Sequence, residues 1–195
     1  MIDEYHFIGI GGIGMSALAR LLLEKGKRVN GSDLSTNQMV KKLKNDGANI
    51  NQGHDEVFLE KMSKVIYSSA VRDDNPEIVK AKKLKCPLLH RSDLLADLMR
   101  DSLPLMVAGA HGKTSTSSLL SSVLMHAKLD PTFMVGGIVN QYQTNARYGK
   151  GIHFVAEVDE SDGSIMKAFG FGCIVTNVDK EHLDYWKSFE NIKIG

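Results

Sequence analysis

Two glycine-rich loops constrain the fold more than any other feature of this sequence. The first, residues 9–14, joins an apolar run at residues 5–10 to a stretch, 14–25, whose apolar residues have helical spacing. The second, residues 109–116, follows another short apolar run and opens a helical stretch over 113–128. Repeated strand–loop–helix units are typical of parallel strands joined by crossover helices. The sequence therefore predicts an α/β fold.

The alternation divides into two units at a polar joint, residues 100–102, just before Pro104. Residues 1–103 are predicted to form a Rossmann-like parallel-sheet domain. Residues 104–195 are predicted to form part of a P-loop-type α/β ATPase domain, because this stretch is shorter than the ~100–150 residues of a typical domain. We predict further strands at 28–31, 65–68, 133–135, 154–156 and 173–176, and further helices at 37–45, 76–84 and 93–99.

Net charge, apolar runs and cysteine content limit the possible partners and the cell compartment. The net charge of +1 provides no general attraction to nucleic acid or to an anionic membrane, so neither is expected as a partner. No apolar run approaches the ~20 residues that cross a bilayer, and the acidic start lacks the basic residues of a signal peptide. Cys86 and Cys173 stand apart in apolar contexts and are predicted to be buried thiols. We expect a soluble, cytoplasmic protein.

The first loop fits the G-x-G-x-x-G pattern, with glycines at Gly9, Gly11 and Gly14. These glycines allow a tight turn, and the helix N-terminus then offers N–H groups to a pyrophosphate. Asp33 ends the second predicted strand, where such folds place a ribose-binding acid. Proteins that bind NAD, FAD or UDP-sugars all use this pattern, and a tight turn without a ligand also fits it. On this motif alone, a dehydrogenase is the default interpretation.

The second loop contains Gly-Lys-Thr, the core of a phosphate-binding loop. Backbone N–H groups are expected to surround the phosphates of ATP, Lys113 to neutralise their charge and the Thr114 hydroxyl to bind Mg²⁺. The full pattern requires a glycine at position 107, which is Val107 here, so the loop is the compact form that begins at Gly109. A chance match on a surface turn is the alternative interpretation.

Acidic residues follow the strand predicted at 154–156. Carboxylates in this position can bind Mg²⁺, which prefers oxygen ligands, and Glu157 is the best candidate because it adjoins the apolar strand. A solvated acidic turn explains the same run equally well. His182, after the strand predicted at 173–176, is by itself most simply a surface histidine.

Together these segments resemble the Mur ligases, in the order and spacing of that family and over essentially the whole chain. The sequence departs from the family at Ala110 and Ser115, where threonine is commoner. The matching segments are residues 6–16, 31–33, 68–71, 75–77, 109–116, 136–137, 144–147, 157–164, 176–177 and 182–184.

The resemblance implies a role for each matching residue. The UDP part of UDP-N-acetylmuramate would be held by Gly11, Gly12, Ile13, Gly14, Asp33, Ser68 and Ser69. The muramoyl part would be held by Asn140, Asn145 and Arg147. ATP would be bound by Gly109, Ala110, His111, Gly112, Lys113, Thr114 and Ser115. Lys113, Glu157 and His182 would be catalytic, and Thr114, Glu157 and His182 would ligate Mg²⁺.

The implied activity is an ATP-dependent ligase of peptidoglycan precursor synthesis. The lactyl carboxylate of UDP-N-acetylmuramate would attack the γ-phosphorus of ATP, and the amine of L-alanine would displace phosphate from the acyl phosphate. The L-alanine site is expected to lie largely outside this chain, which alone would bind substrates without completing the reaction. Alternatives are a ligase that recycles muramoyl peptides, an NAD-dependent oxidoreductase and a non-catalytic UDP-sugar-binding module.

Overall fold

The computed structural model describes residues 4–59, 64–158, 170–180 and 186–194, in two compact units, Met1–Leu95 and Ala96–Gly195. The division falls inside the helix Arg91–Met99, whereas the sequence places a domain boundary near residue 103, which stays a prediction. No helix among the described residues has both the length and the apolar character to cross a bilayer.

The first unit is a parallel sheet of five strands in the order β3-β2-β1-β4-β5. This is the doubly wound arrangement, in which ligands bind at the carboxyl ends of the strands. A 3-10 turn at Glu56–Phe58 follows β3. The elements are β1 Glu4–Ile8, α1 Ile13–Glu24, β2 Arg28–Asp33, α2 Gln38–Asn45, β3 Asn49–Gln52, β4 Lys64–Tyr67, α3 Pro76–Leu84, β5 Leu88–His90 and α4 Arg91–Met99.

Helix capping in the first unit follows from its sequence. The Asn37 side chain accepts a hydrogen bond from the Val40 N–H at 3.0 Å and so caps α2. Asn75 caps α3 in the same way, with Pro76 at the first helical position. Phe7 in β1 and Leu18 in α1 are almost fully buried in the core between sheet and helices.

The second unit has a mixed sheet in the order β10-β6-β9-β7-β8, where only β8 is antiparallel to its neighbour. Its core contains Phe133 and Val155, against which Leu120 and Leu124 of α5 pack. The elements are β6 Leu103–Ala108, α5 Lys113–His126, β7 Thr132–Val139, β8 Thr144–Arg147, β9 His153–Glu157, β10 Gly172–Val175 and α6 Phe189–Ile194.

One detail of the sequence interpretation is wrong. Cys173 is exposed rather than buried, because β10 lies at the edge of the sheet with β6 as its only partner among the described strands. The α/β fold with two strand–loop–helix units is confirmed, with the antiparallel β8 as an addition that the sequence did not predict.

Candidate functional site

The first glycine loop is fixed to the carboxyl end of β2. The N–H groups of Gly9 and Ile10 both donate to the Ser32 carbonyl, at 2.9 and 3.0 Å, and Gly9 has a φ of +75°. The Gly11 N–H donates to Oδ2 of Asp33 at 2.7 Å. A Cβ at Gly11 would lie 2.9 Å from that oxygen and from the Asn37 side chain, so only glycine fits there.

Asp33 therefore shapes the loop in addition to any role in ligand binding. Its Oδ1 accepts hydrogen bonds from the N–H of Ser35 at 2.9 Å and from the Ser35 hydroxyl at 3.1 Å. A carboxylate has about four lone-pair positions, so acceptor capacity remains for a ribose hydroxyl. The predicted contact of Asp33 with ribose stays a prediction.

A cleft of about 780 Å³ opens beside this loop, within the ~300–1,000 Å³ range of small-molecule sites. Among the predicted site residues it is lined by Gly11, Gly12, Asp33 and Ser68. Ile13, Gly14 and Ser69 are not among the lining residues, and the Ser69 hydroxyl instead lies 3.1 Å from Nε2 of His90. The lining residues that the sequence interpretation missed include Asn37, His54, Arg72 and Asn75.

A buried carboxylate, Glu77, lies behind one wall of the cleft. It is 0% exposed, and its two oxygens contact His6, Ser32 and His54. Burial by itself raises the pKa of Glu77, but the hydrogen bonds from His6, Ser32 and His54 and the charge of His6 bring it below its ordinary value. Glu77 is thus held as a carboxylate inside the fold.

The second loop requires glycine at Gly109 for two reasons. Its φ is +120°, and a Cβ there would lie 2.4 Å from Oγ1 of Thr176 and 2.7 Å from the Asn177 carbonyl. Gly112 also has a positive φ, +81°, and is the residue before α5. The glycines of the compact loop thus permit both its turn and its close approach to the end of β10.

Part of the loop backbone is bonded to Asn177. The Ala110 N–H donates to the Asn177 carbonyl at 3.2 Å, and the His111 N–H donates to the Asn177 side-chain oxygen at 2.9 Å. The first intrahelical bond of α5 runs from the Thr116 N–H to the Gly112 carbonyl. The amides of the first turn have no acceptor within the helix, and they are the ones suited to a phosphate.

The Lys113 ammonium group lies over the loop. Nζ donates to the Gly109 carbonyl at 2.6 Å and contacts the Ala110 carbonyl at 3.4 Å. This places a positive charge beside the N-terminus of α5, where a phosphate would be stabilised.

Three hydrogen-bond donors, two hydroxyls and one backbone N–H, converge on Glu157 at the carboxyl end of β9. The Thr114 hydroxyl donates to Oε1 at 3.0 Å, the Gly136 N–H donates to Oε2 at 2.7 Å and the Ser117 hydroxyl lies 3.4 Å from Oε2. A Cβ at Gly136 would lie 2.7 Å from the carboxylate. A carboxylate beside a hydroxyl suits a hard cation such as Mg²⁺.

Other predicted metal ligands cannot be compared with this cluster. His182 and residues 159–164 of the acidic run lie outside the described residues. Within the described ranges, no group of three or more histidine, cysteine or acidic side chains forms a metal site.

The predicted muramoyl-binding residues are spread along the β7–β8 hairpin. Asn140 is exposed after β7, and Asn145 is buried in β8. Arg147 pairs in register with Phe133 near the start of β7, and its guanidinium contacts Asp130 at 2.7 Å. The Lys150 N–H and then Arg147 lower the pKa of Asp130. The assignment of these residues to a substrate site stays a prediction.

The two units together define an α/β protein with two separate glycine loops, each at the N-terminus of a helix. The chain matches "Mur ligase family, catalytic domain" over residues 4–102 and "Mur ligase middle domain" over residues 107–194. It belongs to the Mur ligase family.

Individual relatives point to one branch of that family. The chain is 50% identical over 194 residues to the UDP-N-acetylmuramate–L-alanine ligase of Protochlamydia amoebophila, covering 100% of this chain and 43% of that protein. The crystal structure of UDP-N-acetylmuramate-alanine ligase from Thermotoga maritima superposes with a TM-score of 0.92 at 32% identity, covering 100% of this chain and 46% of that one.

A third relative shows the fold alone. The UDP-N-acetylmuramate:L-alanyl-gamma-D-glutamyl-meso-diaminopimelate ligase from Neisseria meningitides has a TM-score of 0.89 at 24% identity, covering 100% of this chain and 66% of that one. With 43% and 46% coverage of the two alanine ligases, this chain spans less than half the length of each.

Proposed function

We propose that this chain provides the UDP-N-acetylmuramate site and the ATP site of a ligase that adds L-alanine to the lactyl carboxylate. The observation that carries the proposal is the presence of two strand–loop–helix units, each with a glycine loop, in one Mur ligase chain. The 50% identity to a UDP-N-acetylmuramate–L-alanine ligase supports this substrate pair. The L-alanine site is proposed to lie largely outside this chain, and the protein is proposed to be cytoplasmic.

The first unit would bind the UDP part of the substrate. Its cleft combines the N-terminus of α1, which favours an anionic diphosphate, with the carboxylate of Asp33 for ribose hydroxyls. Gly12 lines this cleft and leaves room for close approach of a phosphate.

The second unit would bind ATP and activate the substrate carboxylate. The first-turn amides of α5 and the Lys113 ammonium would hold the phosphates, so that the carboxylate can attack the γ-phosphorus with ADP leaving. Thr114 and Glu157 would hold Mg²⁺, which when bound neutralises charge on the phosphates. The amine of L-alanine would then displace phosphate from the acyl phosphate.

The alternatives have less support. For the recycling alternative, the murein peptide ligase of Psychrobacter arcticus and the L-alanyl-gamma-D-glutamyl-meso-diaminopimelate ligase of Neisseria meningitides share 23% and 24% identity with this chain, whereas the alanine ligase of Protochlamydia amoebophila shares 50%. An NAD-dependent oxidoreductase has no use for the second loop. A non-catalytic binding module would keep UDP-sugar binding but would release no phosphate when the remainder of a ligase is supplied.

Calorimetric titration with Mg·ATP tests the second unit. Lys113→Ala should weaken ATP binding by about tenfold or more, since it removes a charged contact worth roughly 1.5–3 kcal/mol. Lys150→Ala is the matched control, because this exposed lysine lies outside the loop and its backbone N–H bond to Asp130 does not depend on the side chain. Equal ATP affinity in Lys113→Ala and the unsubstituted chain would refute the ATP assignment.

A further inference from the structure

Three polar side chains contact Glu77 in the first unit, and one of them, His54, also lines the cleft. Glu77 comes from the first turn of α3 and is completely buried. His6, 1% exposed, contacts Oε2 through Nε2. Ser32 and His54 both contact Oε1, at 2.6 and 2.8 Å. The arrangement links the buried interior of the sheet to the wall of the cleft.

The positions of the protons follow from the acceptors in this cluster. The Ser32 hydroxyl has one proton and donates it to Glu77. Toward Nδ1 of His54, 2.9 Å away, Ser32 can therefore present only a lone pair. Glu77, as a carboxylate, is also only an acceptor. Nδ1 of His54 is surrounded by acceptors and must itself carry a proton.

With Nδ1 committed to Glu77, the other ring nitrogen determines what His54 offers the cleft. Nε2 of His54 has no hydrogen-bond partner within the part of the chain that the structure describes, and the side chain is 19% exposed. Which nitrogen of a histidine is protonated is set by the hydrogen bond at the other nitrogen. Glu77 thus orients the ring with its Nε2 available to a ligand.

We propose that His54 is a ligand-binding residue of this cleft, contacting the UDP part of the substrate through Nε2, and that Glu77 is the positioning residue that fixes its tautomer and orientation. This deepens the function proposed above and rests on it. The cleft that His54 lines also contains Gly11, Gly12 and Asp33, the residues placed to hold the diphosphate and ribose. The uridine diphosphate is therefore the part of the ligand within reach of His54.

Titrations of the chain with UDP-N-acetylmuramate and with UDP test the contact. His54→Ala should weaken binding of both ligands by about tenfold, the effect of one lost hydrogen bond. Glu77→Gln should weaken both by a similar factor because the ring loses its fixed orientation. His126→Ala is the control, since this exposed histidine bonds only the Ser122 carbonyl of its own helix. Mg·ATP affinity, measured in parallel, should be unchanged in every variant.

Nitrogen-15 NMR of the imidazole groups gives a readout that a merely structural role would not produce. In the unsubstituted chain the His54 signals should show a proton on Nδ1. In Glu77→Gln the preference for the Nδ1–H form should decrease. This measurement on the unsubstituted chain remains informative even if Glu77→Gln fails to fold.

The possible outcomes separate this inference from the function on which it rests. If the unsubstituted chain binds no UDP-sugar, the proposed function fails. If it binds and His54→Ala binds equally tightly, only the inference is overturned. An Nε2–H tautomer of His54, or a loss of affinity seen with UDP-N-acetylmuramate but not with UDP, would overturn it as well.

Discussion

At the scale of single residues, close contacts explain why two positions must be glycine, which a sequence motif alone does not explain. Gly109 is required by its φ of +120° and also by the end of β10, which leaves no space for a Cβ. Gly136 is required because the carboxylate of Glu157 occupies the position that its Cβ would take. The second glycine loop and the surroundings of Glu157 thus depend on glycines because a side chain would clash there.

Gly109→Ala should lower the free energy of unfolding by about 2 kcal/mol or more, because the substitution adds a steric clash to the cost of a positive φ. Gly47→Ala is the matched control, since Gly47 has a φ of +103° and nothing within 4 Å of an added Cβ. Denaturant titration measures both variants. An equal loss for the two would contradict the clash at Gly109.

Glu77 should make stability depend on acid pH. A carboxyl whose pKa is lowered on folding stabilises the fold above its unfolded value, 4.5, and this contribution is lost as the pH falls through the lower folded pKa. Glu77→Gln cannot titrate. Its free energy of unfolding should therefore lie furthest below that of the unsubstituted chain near neutral pH and approach it in acid. A pH-independent difference in denaturant titrations would contradict this account.

At the scale of elements, the residues that follow β10 fix the conformation of the second glycine loop. Asn177 accepts from the His111 N–H at 2.9 Å and donates to the His111 carbonyl at 2.8 Å. Thr176 adds a hydrogen bond from its hydroxyl to the same carbonyl at 2.6 Å. The two residues after one strand thereby fix a loop that lies more than 60 positions earlier in the chain.

Asn177→Ala should weaken Mg·ATP binding about tenfold, since two hydrogen bonds of roughly 1 kcal/mol each no longer order the loop. UDP-N-acetylmuramate affinity should be unaffected. Asn191→Ala serves as the control, because within the described residues its side chain bonds the Trp186 carbonyl and nothing in the second glycine loop. Unchanged ATP affinity in Asn177→Ala, measured by calorimetry, would show that the loop keeps its shape without this side chain.

Most of the strands that the sequence predicted carry several consecutive apolar residues. Central strands such as β1, β4 and β9 are apolar runs, and all were predicted. The strands β3, β5 and β8 were missed because they lie at sheet edges and are short, polar or both. In β3, only Ile50 is buried. Short or polar edge strands leave little apolar pattern in the sequence, whereas β10, also an edge strand, was predicted because Cys173, Ile174 and Val175 are apolar.

The candidate sites were predictable to the extent that they are contiguous in sequence. The glycine loops and the Lys113–Thr114 pair are local motifs, and the structure places each at a helix N-terminus. The contacts of His54 with Glu77 and of Asn177 with His111 join residues 23 and 66 positions apart. No local sequence pattern predicts such contacts, because only the tertiary fold brings the two residues of each pair together.

At the scale of the whole molecule, each of the two units contains a strand–loop–helix segment with a glycine loop. A ligase that activates a carboxylate with ATP requires one site for the carboxylate substrate and one for ATP. Under the proposed function, the first unit would provide the site for the carboxylate substrate and the second unit the site for ATP. The chain spans less than half the length of its alanine-ligase relatives. Substrate binding is therefore the property of this chain that an experiment can test directly.

The most direct test is calorimetric titration of the 195-residue chain with UDP-N-acetylmuramate, with NADH as the comparison ligand. Gly12→Val provides the site-directed control. An added Cβ at Gly12 meets no atom closer than 3.5 Å, so the fold should tolerate the substitution while the side chain enters the cleft. We predict binding of UDP-N-acetylmuramate that Gly12→Val weakens, and no comparable binding of NADH. Binding of NADH alone would identify a dinucleotide site and contradict the proposed ligase function.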